Sequence, residues 1–508
     1  MEEVKRMKYV RSHTVRMLGK GIMTVSLIVM ISMFASGIAA QTSEVNDQGI
    51  TLFVETKLLA DDMVSSHLID IETTNGIVTL SGSVYHLLAR DQAIRIAESV
   101  KGVRGVVDKL TVTPVLRSDA EIKKDVSMAL AEDPATELYD VSVTVIEGIV
   151  TLDGRVESQA EKKLAAEVTK GVKGVKDIIN DIGIVYPTER SGEEIQPEIE
   201  HRLELNPYVD EELIEVQVED ATVTLSGVVG SVAEKNHAYN DAWVAGVEEV
   251  DDSGLKVEWI TADQGRRKSL AVVRTDEEIR QAVEDAFIYD ARVFSFAIDV
   301  NVRNATVILD GVVDNLRAKR AAAEDARNAV GVWRVKNYIK VRPEAPLSDD
   351  DIAQKVSQAL MRDPVVERYE ISVRVFNHKV YLDGSVDSYY EKYHAEDVTS
   401  RVAGVVDIRN LLVVVDEWAW KSDQAIKEDI EDDLYWSYFV DNEEITVTVD
   451  EGVATLTGTV ESWNEHAAAI KSAFEGGAKS VRSYLKIKST PGYYPMYQPR
   501  RHRYSYHR

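Results

Sequence analysis

Hydrophobic residues follow the same order six times along the chain. Each period opens with a helical pattern in which apolar residues stand four positions apart, as in Ile122, Val126 and Leu130. This spacing places the three side chains on one face of a helix. Two stretches of alternating apolar residues follow, then a second helical pattern and a third alternating stretch. Each period therefore predicts the element order α-β-β-α-β.

The second predicted strand carries a phrase that recurs in all six periods. It reads GIVTLSGSV up to Val84 and GIVTLDGRV up to Val156. One glycine is shared by all six copies, and successive glycines are 72 to 84 residues apart. Matches at such a regular period identify internal repeats. The shared glycines are Gly82, Gly154, Gly227, Gly311, Gly384 and Gly458.

The first helix of each copy has a recognisable start. A capping residue stands four positions before the first Ile, and in three copies a later Glu completes a capping box. In copy 3, Pro197 falls inside the helical pattern, so we expect that helix to start late or to bend there. The predicted caps are Asn46, Ser118, Ser191, Thr275, Ser348 and Ser422, and the predicted boxes pair Ser118 with Glu121, Ser191 with Glu194 and Thr275 with Glu278.

The remaining elements of the repeat are equally regular. The first two strands are linked by tight hairpins, for example at Asn75-Gly76 and Glu147-Gly148. A third strand closes each copy, as in residues 335–341. Every second helix has an alanine eleven residues after the shared glycine, and such a small side chain permits close packing on the sheet. These alanines are Ala93, Ala165, Ala238, Ala322, Ala395 and Ala469.

The pattern predicts an α+β fold, a tandem array of six small αββαβ two-layer sandwich domains. One linker, residues 259–274, is longer than the others and divides the array into two groups of three. Cores of about 70 residues are marginal alone, so contacts between neighbouring copies are expected to contribute. The predicted domains are 44–113, 118–185, 191–258, 275–342, 348–415 and 422–488.

Composition narrows the classes of function. The chain has 508 residues, of which 44% are hydrophobic, and a net charge of −27. This charge argues against a general nucleic-acid binder, which needs clustered Lys and Arg. The absence of cysteine excludes disulfides, thiolate metal ligands and cysteine nucleophiles.

Residues 1–40 have the pattern of a secretory signal peptide. Six basic and two acidic residues lie in this segment, an apolar core follows from Ile22 to Phe34, and small residues precede Gln41. Cleavage there would leave a mature chain with a net charge near −31. The alternative is an uncleaved membrane anchor, although the apolar core is short for a bilayer span. Either way, export to a periplasm is predicted.

The repeated segments resemble the BON domain family, which is named for bacterial OsmY and nodulation proteins. The resemblance rests on the GxVxLxGxV strand, the alanine-bearing helix and a short segment that follows this helix. Examples of that segment are Gly174 to Asn180 in copy 2 and Gly331 to Asn337 in copy 4. It spans residues 44–488. It implies a periplasmic location, a role in osmotic or envelope stress, and phospholipid binding or chaperone-like holding of envelope proteins. The family has no fixed binding motif, so the resemblance assigns no ligand-binding residue in this chain.

The shared glycines have two interpretations. Close approach of a ligand to the backbone is one, and a bend or bulge near the second helix is the other. Recurrence in six divergent copies favours the structural interpretation. The neighbouring residue is Ser or Thr in three copies and Asp in the others, which makes a repeated metal site improbable.

The C-terminal tail, residues 489–508, departs from the acidic composition. It contains no acidic residue, and its mix of Tyr, Pro and Arg is typical of a disordered segment. It is either a solvated extension, an adhesive tail for lipid phosphates or polysaccharide, or a segment that docks on acidic domains. The candidate attachment residues are Arg500, Arg501, Arg503, Arg508, Tyr493, Tyr494, Tyr497, Tyr504 and Tyr506.

No catalytic, metal or cofactor motif is recognisable in the sequence. We therefore expect a non-catalytic periplasmic protein of envelope maintenance, without cofactor, that binds phospholipid surfaces or client proteins at several weak sites. A strongly acidic body is repelled by anionic headgroups, which favours client proteins. The alternatives are a surface adhesion or spacer protein attached through its basic tail, and an enzyme with a site between domains.

Overall fold

The computed structural model describes most of the repeat array. The predicted leader, most of the longer linker and all of the tail except two residues lie outside the described residues. The described residues are 45–136, 139–186, 190–206, 208–258, 274–293, 297–343, 347–366, 371–415, 421–460, 463–487 and 503–504.

Each copy has the predicted order α-β-β-α-β. In the sheet the second strand is central, antiparallel to the first and parallel to the third. Both helices contact the same copy's strands, which gives an α+β sandwich of two layers. In copy 1 the elements are α1 (Asp47–Ala60), β1 (Ile69–Thr74), β2 (Ile77–Val84), α2 (Leu87–Glu98) and β3 (Gly105–Val112).

The second and third copies repeat this topology with nearly the same element lengths. A short 3-10 turn precedes the first strand in copies 1, 3 and 6. Copy 2 comprises α3 (Asp119–Glu132), β4 (Asp140–Ile146), β5 (Ile149–Val156), α4 (Gln159–Lys170) and β6 (Asp177–Ile184); copy 3 comprises α5 (Gly192–Leu205), β7 (Ile214–Glu219), β8 (Thr222–Val229), α6 (Val232–Asp241) and β9 (Glu249–Val257).

In copies 4 and 5 the third strand is interrupted, which differs from the single strand expected over residues 335–341. Asn337 donates its side-chain amide to the carbonyl of Lys319 and accepts from the Ile339 N–H. The unbroken third strands of copies 1 and 2 carry equivalent bonds, from the Leu110 N–H to Asp108 and from the Asn180 amide to the Lys162 carbonyl, so these bonds alone do not explain the interruption. Copy 4 comprises α7 (Asp276–Tyr289), β10 (Ile298–Arg303), β11 (Thr306–Val313), α8 (Leu316–Asn328), β12 (Arg334–Asn337) and β13 (Lys340–Val341).

Copy 5 has the same interruption after Asn410, whose amide donates to the Lys392 carbonyl. Copy 6 has one unbroken third strand. Copy 5 comprises α9 (Asp349–Arg362), β14 (Ile371–Phe376), β15 (Lys379–Val386), α10 (Tyr389–Ser400), β16 (Asp407–Asn410) and β17 (Val413–Val414); copy 6 comprises α11 (Asp423–Trp436), β18 (Ile445–Asp450), β19 (Val453–Val460), α12 (Trp463–Glu475) and β20 (Ser480–Ile487).

The core of each copy forms from the residues that carry the repeat pattern. In copy 2 the helix residues Ile122 and Val126 and the strand residues Val150 and Leu152 are all buried. The alanine of every second helix is fully buried, which confirms the close helix–sheet packing expected there.

The predicted helix starts are confirmed. All six capping residues occupy the N-cap, and the three capping boxes are present. In copy 3 the first helix begins at Gly192, immediately after its cap, and runs through Pro197. The expected late start is therefore wrong, because the cap fixes the start of the helix before the proline is reached.

A carboxylate that the sequence analysis missed ties the first helix to the hairpin. Asp119, the first residue of α3, accepts hydrogen bonds from the N–H groups of Glu147 (2.9 Å) and Gly148 (2.9 Å). The hairpin backbone has positive φ at both residues, which leaves these N–H groups pointing outward. The same bonds are made by Asp47, Asp276, Asp349 and Asp423.

Candidate functional site

The shared strand glycines are positioned by close backbone contact. A Cβ added to Gly82 (φ +116°) would lie 2.1 Å from the carbonyl oxygen of Leu68, and one added to Gly458 would lie 1.9 Å from that of Glu444. Equivalent carbonyls oppose Gly154, Gly227 and Gly311. The contact comes from the residue before the first strand, not from the second helix. The backbone itself fills the space at these glycines.

The tail is described only at Arg503 and Tyr504. These two residues form a short antiparallel strand, β21, beside β20, with Tyr504 opposite Val481 and Arg503 opposite Arg482. The other candidate attachment residues lie outside the described residues. The structure thus brings part of the tail backbone to the free edge of the last sheet.

The first helices of the six copies associate in pairs across the two groups of three. Copy 1 contacts copy 6, copy 2 contacts copy 5, and copy 3 contacts copy 4. Two pairs share a backbone bond at the same repeat position. The N–H of Lys101 donates to the Trp436 carbonyl (2.9 Å), and the N–H of Lys173 donates to the Arg362 carbonyl (2.7 Å).

The pair formed by copies 1 and 6 is filled by an aromatic side chain. Trp436 is buried, stacks on Phe53 with 5.2 Å between ring centroids, and lies against Gly49. Beside it, Lys57 bridges the carboxylates of Asp433 (3.2 Å) and Glu475. Burial and the second carboxylate raise the pKa of Asp433 to about 6 despite the opposing effect of Lys57.

The pair formed by copies 3 and 4 is filled in the same way. Tyr289, at the repeat position of Trp436, donates its hydroxyl to Glu198. The guanidinium of Arg202 stacks on the Tyr289 ring, 3.8 Å from the centroid. Burial and the hydrogen bond to Glu198 raise the pKa of Tyr289 above its usual range.

The pair formed by copies 2 and 5 instead leaves a cavity of about 490 Å³ that is open to solvent on one side. Arg362 takes the position of Trp436 and Tyr289, and its Nη2 donates to Glu132 (2.6 Å). Lys355 also pairs with Glu132 (3.3 Å). The cavity is lined by Val115, Arg117, Glu121, Lys124, Asp125, Met128, Lys173, Gln358, Met361 and Arg362.

Further polar contacts join the copies within each group. In the first group, Lys170 of copy 2 pairs with Asp91 of copy 1 (2.7 Å), and Lys163 donates to Asn240 of copy 3 (3.2 Å). In the second group, Arg320 of copy 4 pairs with Glu396 of copy 5. Neighbouring copies within each group are therefore in direct contact with one another.

A second set of contacts crosses between the groups. Arg317 of copy 4 forms a largely buried ion pair with Asp133 of copy 2. Tyr438 of copy 6 donates its hydroxyl to Glu234 of copy 3. Copies 2 and 3 of the first group thus each contact two copies of the second.

The sheet faces that the helices do not cover carry exposed apolar side chains. In copy 2, Ile146 is 72% exposed at the hairpin, and Ile149 and Ile179 lie near it on neighbouring strands. In copy 5, Phe376 is 67% exposed at the end of the first strand. Copy 3 has the polar residue Thr222 at the repeat position of Ile149.

Comparison with known proteins also divides the chain into six units. The sequence profile described as BON domain matches residues 46–114, 118–186, 191–258, 275–343, 348–416 and 422–489. The chain belongs to the BON domain family. Its six BON copies account for every sheet described above.

Two curated relatives are similar to part of the chain. One is Osmotically-inducible protein Y of Escherichia coli, which is 32% identical over 144 residues, or 27% of this chain and 72% of that protein. The other is Outer membrane lipoprotein DolP of Haemophilus influenzae, which is 30% identical over 144 residues, or 27% of this chain and 74% of that protein. A solved structure, the C-terminal domain of CdsD from the type III secretion system of Chlamydia trachomatis, is 16% identical and covers 45% of this chain with a TM-score of 0.13.

Three buried histidines have pKa values below the ordinary range, and one of them caps a helix. His86 caps α2, because its Nδ1 accepts from the Ala89 N–H (3.0 Å). Burial lowers the pKa of His86 to about 4, as it does for His237 and His466. Within the described ranges there is no cluster of three potential metal ligands, and no described helix is long and apolar enough to cross a membrane.

Two features escaped the sequence analysis although the sequence carries a signal for each. An Asp follows the N-cap in five of the six copies, 28 residues before a hairpin, and this recurrence marks the helix–hairpin bond. The position 22 residues before the shared glycine is Trp, Tyr or Arg in copies 6, 4 and 5. Such large residues at a helix end indicate a contact outside the domain.

Proposed function

We propose that this protein acts without catalysis in the bacterial envelope, where it binds other proteins through the open faces of its BON sheets. The names of its relatives, an osmotically inducible protein and an outer membrane lipoprotein, support a role in the envelope or in osmotic stress. The predicted secretory leader agrees with that location. The BON copies provide several surfaces on one chain.

The observation that carries this proposal is the exposed apolar cluster on copy 2. Ile146, Ile149 and Ile179 lie on the sheet face opposite the helices. Exposed apolar side chains that group together mark surfaces for binding. Phe376 places a second apolar group on copy 5. Two weak sites on one chain gain affinity through effective concentration.

Charge favours proteins over anionic membranes as the partner. The chain has a net charge of −27, and the carboxylates of Glu147 and Asp177 stand beside the copy 2 cluster. Anionic headgroups are repelled by such a surface. A client protein that exposes apolar segments meets no comparable barrier. Binding of phospholipid surfaces is the competing outcome of the test below.

The test measures suppression of aggregation of a heat-denatured client protein by the full mature chain. We expect Ile146→Asp combined with Ile179→Asp to remove most of the suppression. The matched control is Thr222→Asp, which places the same charge at the repeat position of Ile149 in copy 3, where the face is already polar. Equal suppression by the wild type and the double variant would contradict the proposal.

Flotation with vesicles that contain phosphatidylglycerol provides the second arm. We expect the wild type to remain unbound at physiological salt. Binding that depends on Ile146 and Ile179 would replace the protein partner by a lipid surface. Binding that is lost only on deletion of residues 489–508 would instead indicate attachment through the basic tail, as in the adhesion alternative.

A further inference from the structure

We propose that the cavity between copies 2 and 5 binds a small amphiphilic anion, a phosphate or carboxylate group attached to an apolar chain. This inference goes beyond the proposed function. It concerns a small molecule held between two BON copies, whereas the client proteins would bind to the outer sheet faces. The two proposals therefore use different residues and can fail separately.

The cavity lies at a position that a side chain fills in the other two helix pairs. In the pair of copies 1 and 6, the indole of Trp436 occupies the space beside Gly49 and Phe53. In the pair of copies 3 and 4, the Tyr289 ring reaches Glu198 and is covered by Arg202. Two of the three pairs thus use an aromatic side chain to close this space.

Copy 5 has Arg362 at the same repeat position, 22 residues before the shared glycine. Its guanidinium turns toward Glu132 instead of filling the gap. The residues of copy 2 that line the gap, Glu121 and Asp125, stand at the repeat positions of Gly49 and Phe53. The cavity therefore includes the space that an aromatic ring occupies in the other two pairs.

The guanidinium of Arg362 has an unused donor. The residue is 7% exposed, its Nη2 donates to Glu132, and its Nη1 has no hydrogen-bond partner among the described residues. A buried donor without a partner costs about 1–3 kcal/mol. Arg362 lines the cavity, and a rotation of its guanidinium would bring this buried donor to an acceptor bound there and remove the cost.

The charges around the cavity favour an anion. Lys124 and Lys173 line it, and neither forms an ion pair with another described residue. The acidic lining residues already have partners, since Asp125 pairs with Arg117 (2.7 Å) and Glu121 bonds the helix cap. An oxyanion at Arg362 would thus find two further cations and no free carboxylate. Phosphate and carboxylate groups match a guanidinium donor well.

The rest of the wall is apolar. Val115, Met128 and Met361 line the cavity, and Met361 is 50% exposed although its neighbour Arg362 is buried. Methionine side chains adapt to ligands of irregular shape. A volume of about 490 Å³ is in the range of small-molecule sites. Cationic and apolar walls in one cavity fit a molecule with an anionic head and an apolar chain.

The test is calorimetric titration of the full mature chain with monododecyl phosphate below its micellar concentration. We expect one bound molecule per chain. Inorganic phosphate should bind at least tenfold more weakly, and dodecyl maltoside should not bind. Equal affinity for inorganic phosphate would overturn the apolar part of the proposal, and equal affinity for dodecyl maltoside would overturn the anionic part.

Two variants and one control locate the site. Arg362→Met removes the free donor while Lys355 still pairs with Glu132, and Met361→Glu places a carboxylate at the cavity mouth without touching an ion pair. Both should weaken monododecyl phosphate at least tenfold. Arg374→Met, an exposed arginine of the same copy outside the cavity, should leave the affinity unchanged. Unchanged affinity in Met361→Glu and Arg362→Met would overturn the site, whatever the outcome of the client-protein assay.

Discussion

At the scale of single residues, the repeat depends on a few positions where only one side chain fits. The shared glycine is the clearest case, because the carbonyl that precedes the first strand occupies the place of a Cβ. Positive φ at Gly82 adds to this restriction, since L-residues rarely adopt it. In the five copies where this carbonyl is described, the backbone contact explains why the position is glycine.

We predict that Gly82→Ala destabilises copy 1 by about 2–3 kcal/mol, through the backbone contact and the strained φ. Hydrogen exchange of peptides from residues 66–84, followed by mass spectrometry in the full chain, measures the local effect. The control is Gly105→Ala, because a Cβ there would lie 3.9 Å from Ile77. Similar protection in the two variants would show that the contact is not limiting.

A second prediction concerns the cap of α2. The folded pKa of His86, about 4, is below its ordinary value of 6.5, so the neutral ring stabilises the fold above pH 6.5. This stabilisation is lost as the pH falls from 6.5 toward 4. Ser caps the same helix in copies 2, 3 and 5. His86→Ser should therefore be neutral at pH 8 and stabilising at pH 5, by about 1–2 kcal/mol.

Thermal unfolding of the wild type and of His86→Ser at the two pH values checks this difference. Asp363 and His394 of copy 5 act on the pKa of His86 in opposite directions, and burial is the larger cause. A His86→Ser variant with the same pH dependence as the wild type would contradict the assigned pKa.

At the scale of elements, each copy is held by a carboxylate that joins its first helix to its hairpin. Asp119 satisfies two N–H groups that the hairpin cannot pair internally. Copy 3 has Gly192 at this position, and a Cβ there would lie 3.2 Å from the Val218 carbonyl. The first helix of copy 3 thus packs closer to its strand and does without the carboxylate.

We predict that Asp119→Ala destabilises copy 2 by about 1–2 kcal/mol, because both hydrogen bonds go to a charged acceptor and water replaces them in part. Exchange of the Glu147 and Gly148 amides should become faster, and NMR of selectively labelled protein measures this. Lys123→Ala, an exposed substitution on the same helix, is the control and should leave both amides unchanged. Unaltered exchange in Asp119→Ala would mean that the turn is stable without the helix.

Periodicity in the sequence was enough to predict helices, caps, strands and the α+β sandwich, because these depend on neighbours within about 70 residues. The interruption after Asn337 was not predicted, because the apolar alternation there is the same as in the unbroken strands, and the side-chain bonds of Asn337 have equivalents in copies 1 and 2. The cavity was not predictable either. The large residue at this repeat position indicates a contact outside the domain, but the space beside Arg362 exists only where copy 2 packs against it.

At the scale of the whole molecule, the two groups of three copies are held together by contacts that recur at equivalent repeat positions. The copies of the first half pair with those of the second half in reverse order: 1 with 6, 2 with 5 and 3 with 4. Further contacts join copy 2 to copy 4 and copy 3 to copy 6. The linker at 259–274 therefore connects two halves that also bind each other directly.

We predict that the halves stay associated after the chain is cut. A protease site inserted within residues 259–273 and cleaved in the folded protein should give two fragments that co-elute as a 1:1 complex at micromolar concentration. The indole of Trp436 is buried against copy 1, and truncation of such an aromatic anchor typically costs at least 2 kcal/mol of binding. Trp436→Ala should thus raise the dissociation constant of the cut halves at least thirtyfold. An exposed aromatic on an outer sheet face, Phe376, supplies the control as Phe376→Ala, which should leave the complex intact. Fragments that separate on cleavage of the wild type would show that the linker, and not the helix pairs, holds the six copies together.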